Sequence, residues 1–243
     1  MNIKLFLQFD GTNYHGWQIQ SNAVTVQQTL AEALRAITHE DIIPCGCGRT
    51  DAGVHASGYV CSFKTSSSIP PDRFPYALNA QLPEDIICTG AETASEDFTA
   101  NRSAKGKTYR YTIDNGEFPD VFSSRYSWHY RHQLDTDAMK QAAHAFIGTH
   151  DFIGFAASGF TVKTTIRTIH ALEIEKHGNI ITIDVTGNGF LYNMVRIITG
   201  TLVYAGAGRI NPSDIPGIIA SHCRDRAGIT APAKGLCLKE VFY

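Results

Sequence analysis

The feature that most constrains this chain is a glycine-rich stretch at residues 44–58, PCGCGRTDAGVHASG. It follows residues 25–38, whose apolar side chains recur at helical spacing, and it precedes a strand-like run at residues 59–63. Glycine accepts backbone conformations that other residues resist, so the stretch predicts a loop between a helix and a strand. Such a loop can present one side chain, and Asp51, two positions after Arg49, is the candidate.

The residues around Asp51 exclude the two common phosphate-binding loops. A dinucleotide-binding fingerprint needs a third glycine where Asp51 stands, and a P-loop needs a Gly-Lys-Ser/Thr sequence that the stretch lacks. A carboxylate beside an arginine stays ionised and can act as a nucleophile or a base. Alternatively, Asp51 only closes a turn, which is a common role of aspartate.

Strand patterns outnumber helix patterns along the rest of the chain. The expected strands are residues 3–9, 59–63, 107–113, 166–175, 180–186 and 236–243, and the expected helices are residues 25–38, 74–79, 136–147 and about 191–203. Helices separate pairs of strands, and both halves of the sequence share this layout. The pattern therefore predicts an α+β fold.

Composition narrows the possible functions. The chain has 21 Lys and Arg residues against 23 Asp and Glu residues, a net charge of -2. This balance excludes a strongly basic nucleic-acid coat protein but allows a local basic groove. The sequence contains neither a signal peptide pattern nor an apolar run of about 18 residues, so we expect a cytoplasmic protein that does not enter a membrane. Its six cysteines are then expected to be reduced thiols.

One group of side chains resembles a set of metal ligands, namely Cys45, Cys47, His55 and Cys61. It lacks the paired C-x-x-C spacing that is typical of zinc sites. A zinc-dependent enzyme is therefore an alternative interpretation, and scattered buried thiols are the other.

Seven segments resemble, in order, the tRNA pseudouridine synthase A family. They are FDGTNYHGWQIQ at 9–20, GRTDAGVHA at 48–56, ALNAQLPEDI at 77–86, KTYRY at 107–111, GTHDF at 148–152, FLYNMVRIITG at 190–200 and APAKGLCL at 231–238. The resemblance covers essentially the full chain. It implies two ferredoxin-like (RRM-like) α/β halves, residues 1–104 and 105–243, whose mixed/antiparallel sheets join, with helices packed on one side and a central active-site cleft.

The resemblance also implies an RNA-modifying isomerase that needs no cofactor and no metal. Its substrate would be tRNA, with uridines 38, 39 and 40 of the anticodon stem-loop converted to pseudouridine by a homodimer. The matching positions imply a catalytic role for Asp51, stacking on the target base for Tyr109, pairing with the aspartate for Arg196, extrusion of the uridine for Arg49, and a uracil pocket lined by Leu236 or Leu238. A non-catalytic RNA-binding module of the same fold is the alternative.

The residues themselves leave these roles open. Tyr109 is either an ordinary strand aromatic or a platform on which a flipped base stacks. Arg196 is either a surface arginine or, given its apolar neighbours, half of a buried pair. RNA contacts are expected from a run of basic residues without intervening acids, namely Arg102, Lys105, Lys107 and Arg110. A second stretch of basic and aromatic residues without acids lies at residues 121–134. Members of the family that the chain resembles often carry an arginine one position before Arg102, so the arginine of this chain stands one position late.

Overall fold

The computed structural model describes residues 1–159 and 162–243. Within this range the chain forms two compact units, one of residues Met1–Lys105 with Cys237–Tyr243 and one of residues Gly106–Leu236. The last strand therefore groups with the first unit, whereas the division drawn from the sequence put it in the second half. The reason is strand pairing, because Cys237 and Leu238 lie in register with His55 and Ala56.

The first unit contains five strands and two helices among the described residues. They are β1 (Asn2–Phe9), α1 (Val26–Thr38), β2 (Cys45–Gly46), β3 (His55–Lys64), α2 (Phe74–Asn79), β4 (Ile86–Ala94) and the last strand of the chain, β10 (Leu236–Phe242), which belongs to this unit from Cys237 onward. The second unit contains the elements between them. These are β5 (Gly106–Asp114), β6 (Trp128–His129), α3 (Thr136–His144), β7 (Gly148–Asp151), β8 (Ile166–His177), β9 (Ile180–Gly187), α4 (Met194–Gly206) and α5 (Ile215–Ala220).

The sheet of the first unit has the order β4-β1-β3-β10. β1 is antiparallel to both of its neighbours, while β10 is parallel to β3, so the sheet is mixed. Alternate residues of β1 point to one face, and Ile3, Leu5 and Leu7 are fully buried there opposite Phe63, Cys61 and Tyr59. α2 packs against β4 at this sheet, and the apolar stripe of α1 is buried as well.

The sheet of the second unit has the order β5-β9-β8-β7, with β6 added in parallel beside β5. Its buried face carries Tyr109, Tyr111 and Ile113 of β5 in register with Val185, Ile183 and Ile181 of β9. α3 packs against α4 and β8. Each unit thus has one apolar sheet face and its own helices, and the predicted α+β class, with helices on one side, is confirmed.

Polar side chains cap the first turn of two helices. Thr25 accepts a hydrogen bond from the backbone nitrogen of Gln28, and Asp135 does the same for Asp137 and Ala138. The helix expected from about residue 191 begins instead at Met194, because Asn193 adopts a left-handed backbone conformation with φ 60°. The strand β4 and the short helix α5 were not predicted, since both contain glycine and α5 also contains Pro216.

Two expectations from composition can be compared directly with the structure. All six cysteines lie within the described residues, and none of them is paired in a disulfide. Across residues 1–159 and 162–243, no helix combines the length and the apolar character that crossing a membrane requires.

Candidate active site

Asp51 lies in the loop of residues 47–54, the Asp51 loop, between β2 and β3. Asp51 is half-buried as a residue, and Arg49 is exposed. The start of the loop is fixed by the Tyr59 hydroxyl, which donates a hydrogen bond to the carbonyl oxygen of Gly48 over 2.5 Å. Cys47 donates its backbone N–H to Val60 over 2.8 Å. Residues 47–54 of the glycine-rich stretch therefore form an ordered loop that contains Asp51, whereas residues 45–46 belong to β2 and residues 55–58 to β3, which the sequence had placed in the loop.

A second stretch of backbone, the 10–17 segment, holds the other half of the Asp51 loop. The N–H of Gly53 donates to the carbonyl oxygen of Tyr14 over 3.1 Å, and the N–H of Trp17 donates to that of Thr50 over 3.3 Å. Gly11 and Gly16 approach the loop so closely that a Cβ on either would collide with the carbonyl oxygens of Val54 and Thr50, respectively. Two glycines of the 10–17 segment thus permit backbone-to-backbone contact on both sides of Asp51.

In the second unit, Tyr109 is 8% exposed and lies edge-to-face with Phe190, with 5.3 Å between ring centroids. Arg196, in the first turn of α4, donates from Nε to the carbonyl oxygen of Ala231 and from a terminal nitrogen to Oδ1 of Asn193, each over 2.7 Å. Its side chain is half-buried and held at two points, so it is not a freely solvated surface arginine.

The charge of Arg196 also influences the buried Tyr111. The hydroxyl of Tyr111 donates to the carbonyl oxygen of Pro232 over 2.7 Å. Burial raises the pKa of Tyr111, and the positive charge of Arg196 opposes this increase. The ring of Tyr111 also lies where a Cβ on Gly235 would be, so the turn before Leu236 packs directly on it. Tyr111 and Arg196 together fix the position of residues 231–235.

Leu236 and Leu238 are both buried, at 5% and 1% exposure. They lie two positions apart on β10 and therefore project from the same side of the strand. Leu238 pairs with Ala56 of the first unit, whereas Leu236 continues directly from the segment that Arg196 and Tyr111 hold. Of the two leucines, Leu236 is therefore the one that directly follows the segment held by Arg196 and Tyr111.

The four basic residues predicted to contact RNA differ in their settings. Arg102 and Lys105 are exposed in the first unit. On β5 the alternation of side chains gives Lys107 the same face as Tyr109, while Arg110 projects from the opposite face. There Arg110 forms a two-point ion pair with Asp184 of β9, with both distances 2.7 Å. The basic run lacks an acid along the sequence, but Asp184 is its neighbour across the sheet.

The four possible metal ligands differ in how deeply they are buried, and His55 already has polar contacts. Cys47 and Cys61 are buried, while Cys45 is exposed. Nδ1 of His55 lies 3.0 Å from the backbone nitrogen of Gly11 and 3.1 Å from Oδ1 of Asp10. Over the described parts of the chain, no three or more His, Cys, Asp or Glu side chains are arranged to hold a metal ion.

Comparison with known proteins identifies the family. The model of a family described as tRNA pseudouridine synthase matches residues 5–105 and 142–243. Proteins named tRNA pseudouridine synthase A from Acetivibrio thermocellus and Ruminiclostridium cellulolyticum are each 50% identical over 242 residues. These alignments cover at least 99% of this chain and 99% of each relative. The chain belongs to the tRNA pseudouridine synthase family. A third relative of the same name, from Thermoanaerobacter sp. strain X514, is 48% identical over 242 residues, 100% of this chain and 99% of that protein.

Membership of the tRNA pseudouridine synthase family confirms the resemblance drawn from the seven segments. It also confirms the prediction of an RNA-modifying isomerase that forms pseudouridine in tRNA, over the alternative of a non-catalytic RNA-binding module.

Four residues that contact the predicted site residues or their surroundings were not predicted in these roles, and His55 was considered only as a possible metal ligand. Tyr14 and His55 contact the Asp51 loop or its neighbours, while Phe190 and Asn193 contact Tyr109 and Arg196. All four lie inside the segments that resemble the synthase family, so a signal was present. Their roles were hidden because each depends on a partner distant in the sequence.

Proposed function

We propose that this chain converts uridines 38, 39 and 40 of the tRNA anticodon stem-loop to pseudouridine, with Asp51 as the catalytic carboxylate. The observation that carries the proposal is the Asp51 loop itself, held by backbone contacts on both sides of a half-buried aspartate. A module that only binds RNA has no use for a rigidly held carboxylate beside an anionic ligand.

The chemistry requires one bond to break and one to form. The glycosidic bond from N1 of uracil to C1′ of the ribose is broken, the base turns, and C5 is joined to C1′. C5 loses its proton and N1 gains one, so atoms and electrons balance without a cofactor. An ionised Asp51 can serve as a nucleophile toward the base or the sugar, or as a base that removes a sugar proton.

The target uridine has to leave its stack before Asp51 can reach it, at a free-energy cost of a few kcal/mol. We assign Tyr109 to stacking on the extruded base, a contact typically worth about 1–3 kcal/mol. Its edge-to-face contact with Phe190 supports this role, because it fixes the plane of the ring. Arg49, exposed two residues before Asp51, is assigned to extrusion of the uridine.

Arg196 is assigned to orienting the Asp51 carboxylate and keeping it ionised. The hydrogen bonds from Arg196 to Ala231 and Asn193 support this assignment, since they leave the guanidinium little freedom. For the uracil pocket we favour Leu236 over Leu238, because Leu236 follows the segment that Arg196 holds.

Contacts to tRNA phosphates are assigned to Arg102, Lys105 and Lys107, with a smaller contribution from Arg110. Asp184 already offsets much of the charge of Arg110, which reduces what Arg110 offers to a phosphate. With a net charge of -2, the protein is suited to bind RNA along a limited groove and not over its whole surface.

We further propose that the enzyme is a cytoplasmic homodimer. Free cysteines and a tRNA substrate both support the cytoplasm. Support for the dimer comes from the loop between β5 and β6, where Phe118, Val121 and Phe122 are 78%, 79% and 94% exposed. An apolar patch of this kind is typical of a surface that another protein chain covers.

The test uses tRNA labelled with tritium at C5 of uracil, because joining C5 to C1′ releases the label. Wild-type enzyme is expected to release it from tRNA with uridine at positions 38–40, and not from a transcript with cytidine at all three. Asp51→Asn is expected to lower the rate at least about 1000-fold while tRNA binding is retained. Asp72→Asn, at an exposed aspartate of the same unit, is the control. Release by Asp51→Asn at the wild-type rate would refute the assignment of Asp51.

A further inference from the structure

His55 is a buried polar residue at the start of β3, four positions after Asp51, that the proposed chemistry does not use. Its ring is 4% exposed, and Nδ1 lies 3.0 Å from the backbone nitrogen of Gly11. This is a hydrogen bond from the backbone N–H of the 10–17 segment to a side chain of β3. It connects the two stretches of chain that meet around Asp51.

Gly11 is the point at which the 10–17 segment approaches the Asp51 loop. Its Cα faces the carbonyl oxygen of Val54 so closely that no side chain fits between them. From Gly11 the segment continues to Tyr14, whose carbonyl oxygen accepts the N–H of Gly53. A displacement of Gly11 is therefore transmitted to Gly53 and Val54, which belong to the turn that Asp51 begins, because the N–H of Val54 donates to the carbonyl oxygen of Asp51 over 3.1 Å.

The rest of the 10–17 segment is well anchored on its far side. The Tyr14 hydroxyl donates to Oδ1 of Asp85 over 2.6 Å, and the backbone N–H of Asp10 donates to the carbonyl oxygen of Asp85 over 2.9 Å. Burial, together with the Asp85 carboxylate, raises the pKa of Tyr14, so this hydroxyl remains a donor. With the far side fixed, the contact at His55 determines how closely the segment lies on the loop.

Two groups compete for Nδ1 of His55, because Oδ1 of Asp10 also lies within hydrogen-bond distance of it, at 3.1 Å. Nδ1 either accepts from Gly11 or carries a proton and donates to Asp10, but it cannot do both. Oδ1 of Asp10 already accepts from the N–H and the hydroxyl of Thr12, over 2.9 and 2.5 Å. The N–H of the buried Gly11 needs an acceptor of its own, so the bond to Gly11 is the better use of Nδ1.

We propose that His55, with Nδ1 as an acceptor, is a positioning residue that clamps the 10–17 segment onto the Asp51 loop and so holds the Asp51 carboxylate in place. The proposal rests on the proposed catalytic role of Asp51. His55 itself does not touch the reacting atoms. Its contribution is to the rate of the chemical step, since displacement of a catalytic group by about 1 Å lowers the rate about 100-fold.

Two substitutions separate positioning from simple packing. His55→Leu fills the space but removes the acceptor, whereas in His55→Asn the amide oxygen can take the place of Nδ1. We expect His55→Leu to lower kcat for tritium release about 100-fold with KM for tRNA nearly unchanged, and His55→Asn to restore kcat to within about threefold of wild type. His177→Leu, at an exposed histidine of the β8–β9 hairpin, is the control. Equal loss in the Leu and Asn variants, or no loss in either, would overturn the proposal.

A measurement on the unmodified enzyme covers the case in which His55→Leu does not fold. Nitrogen-15 NMR of the histidine rings at pH 7.5 is expected to show His55 with Nδ1 unprotonated and Nε2 protonated. A proton on Nδ1 would assign the ring to Asp10 and overturn the clamp. Activity need not be present for this measurement. If wild-type enzyme releases no tritium, the proposed function fails by itself; if only the His55 results disagree, the clamp alone fails.

Discussion

Gly16 and Thr50 meet backbone to backbone, and no atom larger than hydrogen fits on the Cα of Gly16 without striking the carbonyl oxygen of Thr50. Gly16 also has φ +80°, a left-handed conformation that side chains disfavour. Thr50 is the residue before Asp51, and its carbonyl oxygen accepts the N–H of Trp17. This contact makes the geometry around the candidate catalytic residue dependent on a glycine 35 positions earlier in the chain.

Gly16→Ala should therefore destabilise the protein and displace the Asp51 loop. We expect a loss of about 2–3 kcal/mol in the free energy of unfolding, measured by urea denaturation. Gly178→Ala separates strain from collision, since Gly178 also has positive φ, at +59°, but open space around the added Cβ. It should lose only about 1–2 kcal/mol. If the two variants lose the same amount, the collision with Thr50 contributes nothing.

Arg196→Lys tests whether the geometry of the guanidinium is needed. Lysine retains the charge but cannot donate to Ala231 and Asn193 in the same fork. We expect kcat for tritium release to fall about 100-fold while the Kd for tRNA changes little. Arg35→Lys, at an exposed arginine of α1, should have no effect on either quantity. A wild-type kcat in Arg196→Lys would show that positive charge alone is sufficient.

Lys107 and Arg110 should differ in their contribution to tRNA binding. Lys107 shares a face of β5 with Tyr109, whereas Arg110 is paired with Asp184 on the other face. Binding is measured from about 50 to 200 mM salt, where each phosphate contact contributes close to one unit to the slope of log K against log salt. Lys107→Gln should reduce the slope by about 1, and Arg110→Gln by less than half of that. Equal reductions would contradict the different roles assigned to the two faces.

The exposed apolar loop between β5 and β6 provides the test of the proposed homodimer. Phe122 is 94% exposed, and replacing it with aspartate should not disturb the core of the subunit. We expect sedimentation equilibrium to give a dimer for the wild type and a weakened dimer for Phe122→Asp. Tyr76→Asp, at another exposed aromatic, is the control. A wild-type monomer would refute the dimer, and an unaffected Phe122→Asp dimer would place its interface elsewhere.

The cysteines should differ in their reaction with iodoacetamide. Burial raises the pKa of Cys88 to about 11, and burial also raises that of Cys61, so neither forms much thiolate at pH 8. Cys45 and Cys223 are exposed. Mass spectrometry of native protein at pH 8 should find Cys45 and Cys223 alkylated first, with Cys61 and Cys88 modified only after unfolding. Early modification of Cys61 would show that β3 opens in the native protein.

Much of the fold was contained in local patterns. The β8–β9 hairpin, the helix α1 with its Thr25 cap and the α+β class all follow from periodicity and turn residues within short windows. Elements of weak local character were missed. β4 contains Gly90 and several polar residues, and its strand conformation is stabilised by pairing with β1, whose residues are some 85 positions away.

The candidate site likewise has features that local sequence predicted and features that depend on contacts between distant segments. The sequence by itself made Asp51, Tyr109 and Arg196 the candidate site residues, because each lies in a contiguous segment whose residue order is informative. Only the tertiary structure showed which residues hold them: His55 and Gly11 beside the Asp51 loop, and Ala231 behind Arg196. It also showed that Arg110 is paired with Asp184, a residue of another strand, which the sequence order does not reveal. Composition and order determine what chemistry is available, whereas hydrogen bonds between distant segments determine where each group is held.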